Sequence, residues 1–305
     1  MRDLSRPLLR CPELSLVVVA YNMARELPRT IRTLSTDYQR GVEAGEVEVI
    51  VVDNGSTRPF DEDACRRWIP DLKILRMENP TVSPVAAINR GIEAAQGNLI
   101  GVFIDGARMA SPGLLRAALM AARLHERPVI GTLAFHLGPD VQMRSVREGY
   151  DQEAEDTLLA GSGWEEDGYR LFDISVFAGS SARGWFQVPA ETNALFLTAA
   201  HWRELGGYDP RFLTPGGGLA NLDTWKRAVE SEGCFPVMLL GEGTFHQVHG
   251  GVATNALKPP TAEFRAEYAA LRGGPYVIPQ AQVHLFGSFP ANAQKSLVAS
   301  LEKMR

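Results

Sequence analysis

A chain of 305 residues, 45% hydrophobic and 22% charged, has the composition of a globular protein and can bury one large α/β core or two smaller ones. Its 31 basic residues against 36 acidic ones leave a formal net charge of −5. No overall cationic field therefore favours a nucleic-acid partner, whose phosphates require one. Cys11, Cys65 and Cys234 are far apart and form no CxxC pair, which excludes a disulfide framework or thiolate zinc site and fits a reducing compartment.

The opening MRDLSRPLLRCPELSLVVVAYN starts basic, but its apolar run from Leu14 to Tyr21 is short, broken by Ser15 and without a cleavage site. No segment reaches the roughly 18 apolar residues of a membrane helix. The expectation is a cytoplasmic protein without a transmembrane segment, peripheral attachment at the inner membrane face being left open. LSLVVVAYN reads as a strand buried on both faces. ARELPRTIRTLST follows as a helix with Leu27, Ile31 and Leu34 on one side, and VEVIVVDNGST is a second buried strand ending in a polar turn. DEDACRRWI is a short helix and LKILRMEN a third strand. In SPVAAINRGIEAAQG, Ser83 is the expected N-cap, Pro84 the first helical residue and Gly97 the stop. LIGVFID is the fourth strand, and SPGLLRAALMAARLHERP the next helix, with Ser111 as its cap.

Such β-α-β alternation predicts a mostly parallel sheet with helices on both faces, and ligands gather at the carboxyl ends of such strands. Tyr21-Asn22, Asp53 and Asp105 all fall at those ends. After the strand VIGTLAFHL, residues 138 to 184 lack periodicity apart from an acidic helix near DQEAEDTLLA. GWFQVPAETNALFLTAAHWRELGGYDPRF restores a strand and a helix, and TPGGGLANLDTWKRAVESEG is a glycine-rich loop leading into another helix. PVMLLGEGTFHQVHGG is a strand ending in two histidines, and the last fifty residues read as a loosely organised appendage.

Neither GxGxxG after a strand nor GxxxxGK[ST] occurs, which argues against a Rossmann dehydrogenase and a P-loop NTPase. The Ala-Tyr-Asn turn is also not the glycine-rich, basic phosphate loop a nucleotidyltransferase would need. The order of elements resembles the family 2 glycosyltransferases of GT-A fold. The resemblance is carried by LSLVVVAYNMARELPRTIRTL, VEVIVVDNGST, VAAINRGIEAAQGNLIGVFID and LGGYDPRF, over residues 13 to 255. It implies a GT-A domain over 1–255, a nucleotide-binding half to about 110 and an acceptor half over 111–255, followed by a C-terminal extension over 256–305. The implied activity is transfer of a sugar from a nucleoside diphosphate sugar to an acceptor hydroxyl on a glycan, a lipid-linked sugar or a small molecule, with inversion.

The resemblance assigns Ala20, Tyr21 and Asn22 to the base pocket, Asp53 to the base or ribose, and Asn89 to the helix before the metal strand, where the arginine usual beside it is Ile88. Asp105 is the acid that survives from a DxD motif, with alanine at 107 where the metal-binding acid usually stands. A hard cation, Mn²⁺ or Mg²⁺, would bridge the diphosphate there. His246 and His249 offer a further ligand. On a strand, residues i and i+3 face opposite ways, so His249 is favoured and both would serve one ion only if the chain turned between them. The general base is expected near GGGLANLDTWKRA, where Ala220 and Asn221 replace the family's Glu-Asp pair. Asp223 is the first choice and Glu191 the second. The eroded motifs also raise the alternative of a catalytically inactive sugar-nucleotide-binding or partner module.

Overall fold

The computed structural model describes residues 12–252 and 260–304, so Cys11 and the basic start of the chain lie outside it. In chain order the strands are β1 (Leu14–Ala20), β2 (Val47–Asp53), β3 (Lys73–Arg76), β4 (Leu99–Phe103), β5 (Arg108–Ala110), β6 (Pro128–Leu137), β7 (Ser175–Phe177), β8 (Ala194–Thr198), β9 (Phe235–His246) and β10 (His284–Gly287). The helices are α1 (Leu27–Thr33), α2 (Glu62–Arg66), α3 (Val85–Ala94), α4 (Leu114–Ala121), α5 (Gln142–Ser145), α6 (Gln152–Ser162), α7 (Ala199–Leu205), α8 (Ala220–Val229), α9 (Thr261–Arg272) and α10 (Gln294–Glu302).

The strands form one sheet whose main path is β10-β9-β6-β8-β4-β1-β2-β3, with β5 on β9 and β7 on β6. Along that path every pairing is parallel except the two made by β8, which runs against β4 and β6. Because side chains alternate across a strand, a run apolar at every position feeds two cores. Val17 and Val19 join Ile50 and Val52 under α3, α7 and α8, whereas Leu16 and Val18 join Val49 and Val51 under α1, α2 and α4. Helix α3 lies so close to β1 that a Cβ on Gly91 would stand 2.3 Å from Val17 Cγ1.

Two helix starts differ from expectation. Pro84 takes the N-cap of α3, and the Ser83 hydroxyl instead donates to Phe212 O at 2.7 Å. Helix α4 starts after Gly113, and the Ser111 hydroxyl, fully buried, donates to the Glu242 carboxylate. A charge-assisted bond inside the core outcompetes a helix cap for that hydroxyl.

The segment after residue 260 is organised, contrary to the sequence reading. β10 adds a parallel strand beside β9. Gly241, at φ +71°, permits close passage of the tail, since a Cβ there would meet Ser288 O at 2.1 Å. On α9, Glu267 accepts from Leu213 N at 2.7 Å and Thr214 N at 2.9 Å, which pins the loop leading to Gly216-Gly217-Gly218. Among the described residues no helix is long and apolar enough to cross a membrane.

Candidate functional site

Strands β1 and β2 are adjacent and parallel with Ala20 opposite Asp53, so the turns that follow them lie side by side. Asn22 ties the two together. Among the described residues it is the one non-glycine with positive φ, +54°, a conformation asparagine tolerates better than most. Its Oδ1 accepts from Thr57 N and Arg58 N, both at 2.9 Å, and its own N–H donates to Ser56 Oγ at 2.9 Å. Asp53 is buried and its Oδ1 accepts from Ser56 N at 2.8 Å, which leaves Oδ2 for another donor. Ala20 is buried at the strand end, and its carbonyl accepts from Asn54 N. Tyr21 stands 52% exposed above this floor, an aromatic ring that its own chain does not cover.

Strand β4 lies on the other side of β1, and Asp105 follows it in the turn to β5. Asp105 Oδ1 accepts from Ala107 N at 3.0 Å and Oδ2 from Arg108 Nε at 2.9 Å. Through β5, Arg108 sits opposite His246, the last residue of β9. The chain then bends, so the two histidines converge: His246 Nε2 and His249 Nε2 are 3.1 Å apart, and His246 Nε2 is 3.8 Å from Asp105 Oδ2. The expectation that strand alternation separates them fails because β9 ends at His246.

The donor set fits a divalent cation. One ligand atom from each of Asp105, His246 and His249 lies within 4.8 Å of the others, close enough that small side-chain adjustments bring all three onto one ion. The tautomer is also right. Gln142 Nε2 donates to His246 O at 2.8 Å, so its Oε1 faces His246 Nδ1 at 2.7 Å and accepts that proton, leaving the Nε2 lone pair toward Asp105. Burial, followed by the nearby Arg108 charge, holds the His246 imidazolium pKa well below its usual range. Burial lowers His249 as well, and both shifts favour the neutral ring, the form that ligates.

On the acceptor side, Asp223 is 1% exposed and both its oxygens are taken. Oδ2 accepts from Arg227 Nε at 2.7 Å and Arg272 Nη2 at 2.8 Å, and Oδ1 from Arg272 Nε at 2.6 Å. The first choice of base thus spends both oxygens on two arginines, an i,i+4 partner and a long-range one. Glu191 is placed otherwise. It is partly exposed, Asn221 Nδ2 donates to its Oε2 at 2.6 Å, and burial raises its pKa while the charges of Arg108 and Asp105 both reach it. The Asn89 amide brackets Tyr208: Nδ2 donates to Tyr208 O at 2.8 Å and Oδ1 accepts from Tyr208 N at 2.9 Å. Sequence reasoning missed Arg108, whose only signal was a cation directly after Asp-Gly-Ala, and it missed Gln142 in a segment without periodicity.

A model described as Glycosyl transferase family 2 matches residues 15–178, more than half of the chain. Validoxylamine A glucosyltransferase of Streptomyces hygroscopicus subsp. jinggangensis (strain 5008) is 28% identical over 218 residues, 68% of this chain and 49% of that protein. The chain therefore spans about half the length of the curated relative it matches. Among solved structures, S. aureus TarS 1-349 in complex with UDP-GlcNAc superposes with a TM-score of 0.52 at 12% identity, over 84% of this chain and 66% of that one. The same protein in complex with UDP gives 0.49 at 12% identity, over 85% and 70%. The first of these likenesses is one of fold, and it is the GT-A arrangement of a mostly parallel sheet between helices.

Proposed function

Because the chain belongs to glycosyl transferase family 2, we propose that it transfers a sugar from a nucleoside diphosphate sugar to an acceptor hydroxyl, with inversion and with a divalent cation assisting. The observation that carries this reading is the meeting of Asp105, His246 and His249 directly beside the paired turns of Tyr21-Asn22 and Asp53. Tyr21 lies against the base, and Asp53 Oδ2 accepts from a base N–H or a ribose hydroxyl. Asp105 and the two histidines hold the cation, which when bound neutralises charge on the departing diphosphate. Two imidazoles and one carboxylate favour Mn²⁺ or a later first-row ion over Mg²⁺.

Glu191 takes the proton of the acceptor hydroxyl. Burial raises its pKa, which makes the carboxylate a stronger proton acceptor. Asn221 orients it, and Tyr208 Oη in turn donates to Asn221 Oδ1 at 2.8 Å. The glucosyltransferase relative makes a nucleoside diphosphate glucose the first donor to try.

The test is nucleoside diphosphate release from UDP-glucose and UDP-GlcNAc with Mn²⁺, with Mg²⁺ and with EDTA. Release with Mn²⁺ is expected, abolished by EDTA and reduced about 100-fold or more in Asp105→Asn, whose circular dichroism matches the parent. Nucleotide binding without release from any UDP-, GDP- or dTDP-sugar would instead support an inactive binding module, the reading that Ala220 and Asn221 in place of two acids favours.

A further inference from the structure

Residues 138 to 162 gave little signal in the sequence, yet they reach the histidines from behind. Gln142, completely buried, contacts His246 twice: Oε1 accepts at Nδ1 and Nε2 donates to the main-chain carbonyl. Glu155 of α6, also completely buried, accepts from Val248 N with both oxygens, at 2.9 and 3.1 Å. Val248 is the residue before His249, and its carbonyl is held as well, accepting from Arg25 Nη1 at 3.1 Å and Gln152 Nε2 at 3.3 Å. Arg25 Nη2 donates to Glu155 at 3.1 Å and to Asp156 at 2.7 Å, which fastens α6 to the segment just after the Tyr21-Asn22 turn. Val248, from which the chain passes to His249, is thus held at both its N–H and its carbonyl.

A loop peptide at a strand end could satisfy these groups with water. Gripping it with an ionisable group taken out of water is costly, and burial pushes the Glu155 carboxyl up to about 7. Fixing a ligand-bearing segment gives that cost a use, because partners behind metal-ligating side chains set both orientation and tautomer.

We infer that Gln142 and Glu155 are the positioning residues of the cation site, one for each histidine. The inference rests on the reading of Asp105, His246 and His249 as cation ligands. Gln142 fixes the His246 tautomer and ring plane; Glu155 fixes the backbone from which His249 projects. Neither touches the ion or the donor.

The test is Mn²⁺ binding to the nucleotide-free full chain by calorimetry, with melting temperatures in EDTA measured beside it. Glu155→Ala and Gln142→Leu are expected to weaken Mn²⁺ binding about 10- to 100-fold, whereas Glu155→Gln, which keeps an acceptor for the Val248 N–H, stays within about threefold of the parent. A merely structural role would lower the melting temperature in EDTA and leave the Mn²⁺ affinity of the folded protein unchanged. If Glu155→Ala does not fold, Gln142→Leu carries the test. Parent-like affinity in the variants, with affinity lost in His249→Ala, overturns the positioning role alone. A parent that takes up no Mn²⁺ overturns the cation reading, and the inference with it.

Discussion

Glu191 and Asp223 are both acids on the acceptor side of the sheet, and their surroundings divide them. Asp223 accepts from two arginines, whereas Glu191 faces the Asn221 amide and the Ser180 side chain and has a raised pKa through burial. Glu191→Gln should therefore cut turnover about 10²- to 10⁴-fold and leave the donor KM and the far-UV spectrum close to the parent's, as steady-state kinetics and circular dichroism would show. Equal turnover in the variant would remove Glu191 from the proton transfer. The sequence could not have separated the two acids. The spacing of Asp223 to Arg227 matches a family helix, but it is also the spacing of an i,i+4 ion pair, and Arg272 lies 49 positions on. Asn22 was legible as a residue at a strand's carboxyl end, and its +54° φ is one that asparagine tolerates.

At the level of elements, the tail is bound to the rest of the chain by a strand pairing, hydrogen bonds and an ion-pair cluster. Arg272, from α9, joins Asp209 at 2.7 Å to Asp223 at 2.6 Å, and Arg211 also pairs with Asp209. These partners hold the Asp209 carboxyl well below the usual carboxylate range, the Arg211 hydrogen bond being the largest influence. Arg272→Ala leaves buried Asp223 with Arg227 alone, and urea denaturation should register a loss of about 3 kcal/mol with an unchanged denaturant slope. A loss below about 0.5 kcal/mol would show that the pair is replaceable by solvent. The strands β1, β2 and β4 were legible because continuous β-branched runs have one reading in a doubly covered sheet. The tail was not, because Pro-Pro and Gly-Gly-Pro mark turns locally while β10 takes its place through β9, some forty residues upstream.

The whole molecule carries a cluster of neutral imidazoles beside the Arg108 guanidinium. His136 is buried and its Nδ1 accepts from Gln142 N at 2.9 Å, so burial, with the Arg108 charge second, pushes its pKa down to about 3. Unfolded histidine titrates near 6.5, so between about 6.5 and 3 the unfolded chain holds a proton that the folded chain refuses. Stability consequently falls as pH drops through that window, by up to about 1.4 kcal/mol per unit for each such group. His246 and His249 are shifted in the same direction and add to the slope. His136→Gln, whose amide oxygen can take over the Gln142 N–H, should make the acid limb shallower by about that amount per unit in denaturation midpoints between pH 6 and 4 in EDTA. An identical limb would place the acid sensitivity elsewhere.

Strand β9 spans the molecule. Its early half lies beside β10 at Val237–Leu240, and its pairing with β6 slips around Gly241 and resumes at Gly243, from which it runs without interruption to His246. Side chains on such a ladder change sides with every residue, so removing or adding a single position between Gly243 and His246 would rotate the imidazole away from Asp105 and into the opposite core. Descendants of this chain are free to vary in length in the connection before Phe235. Across those four residues they must keep count.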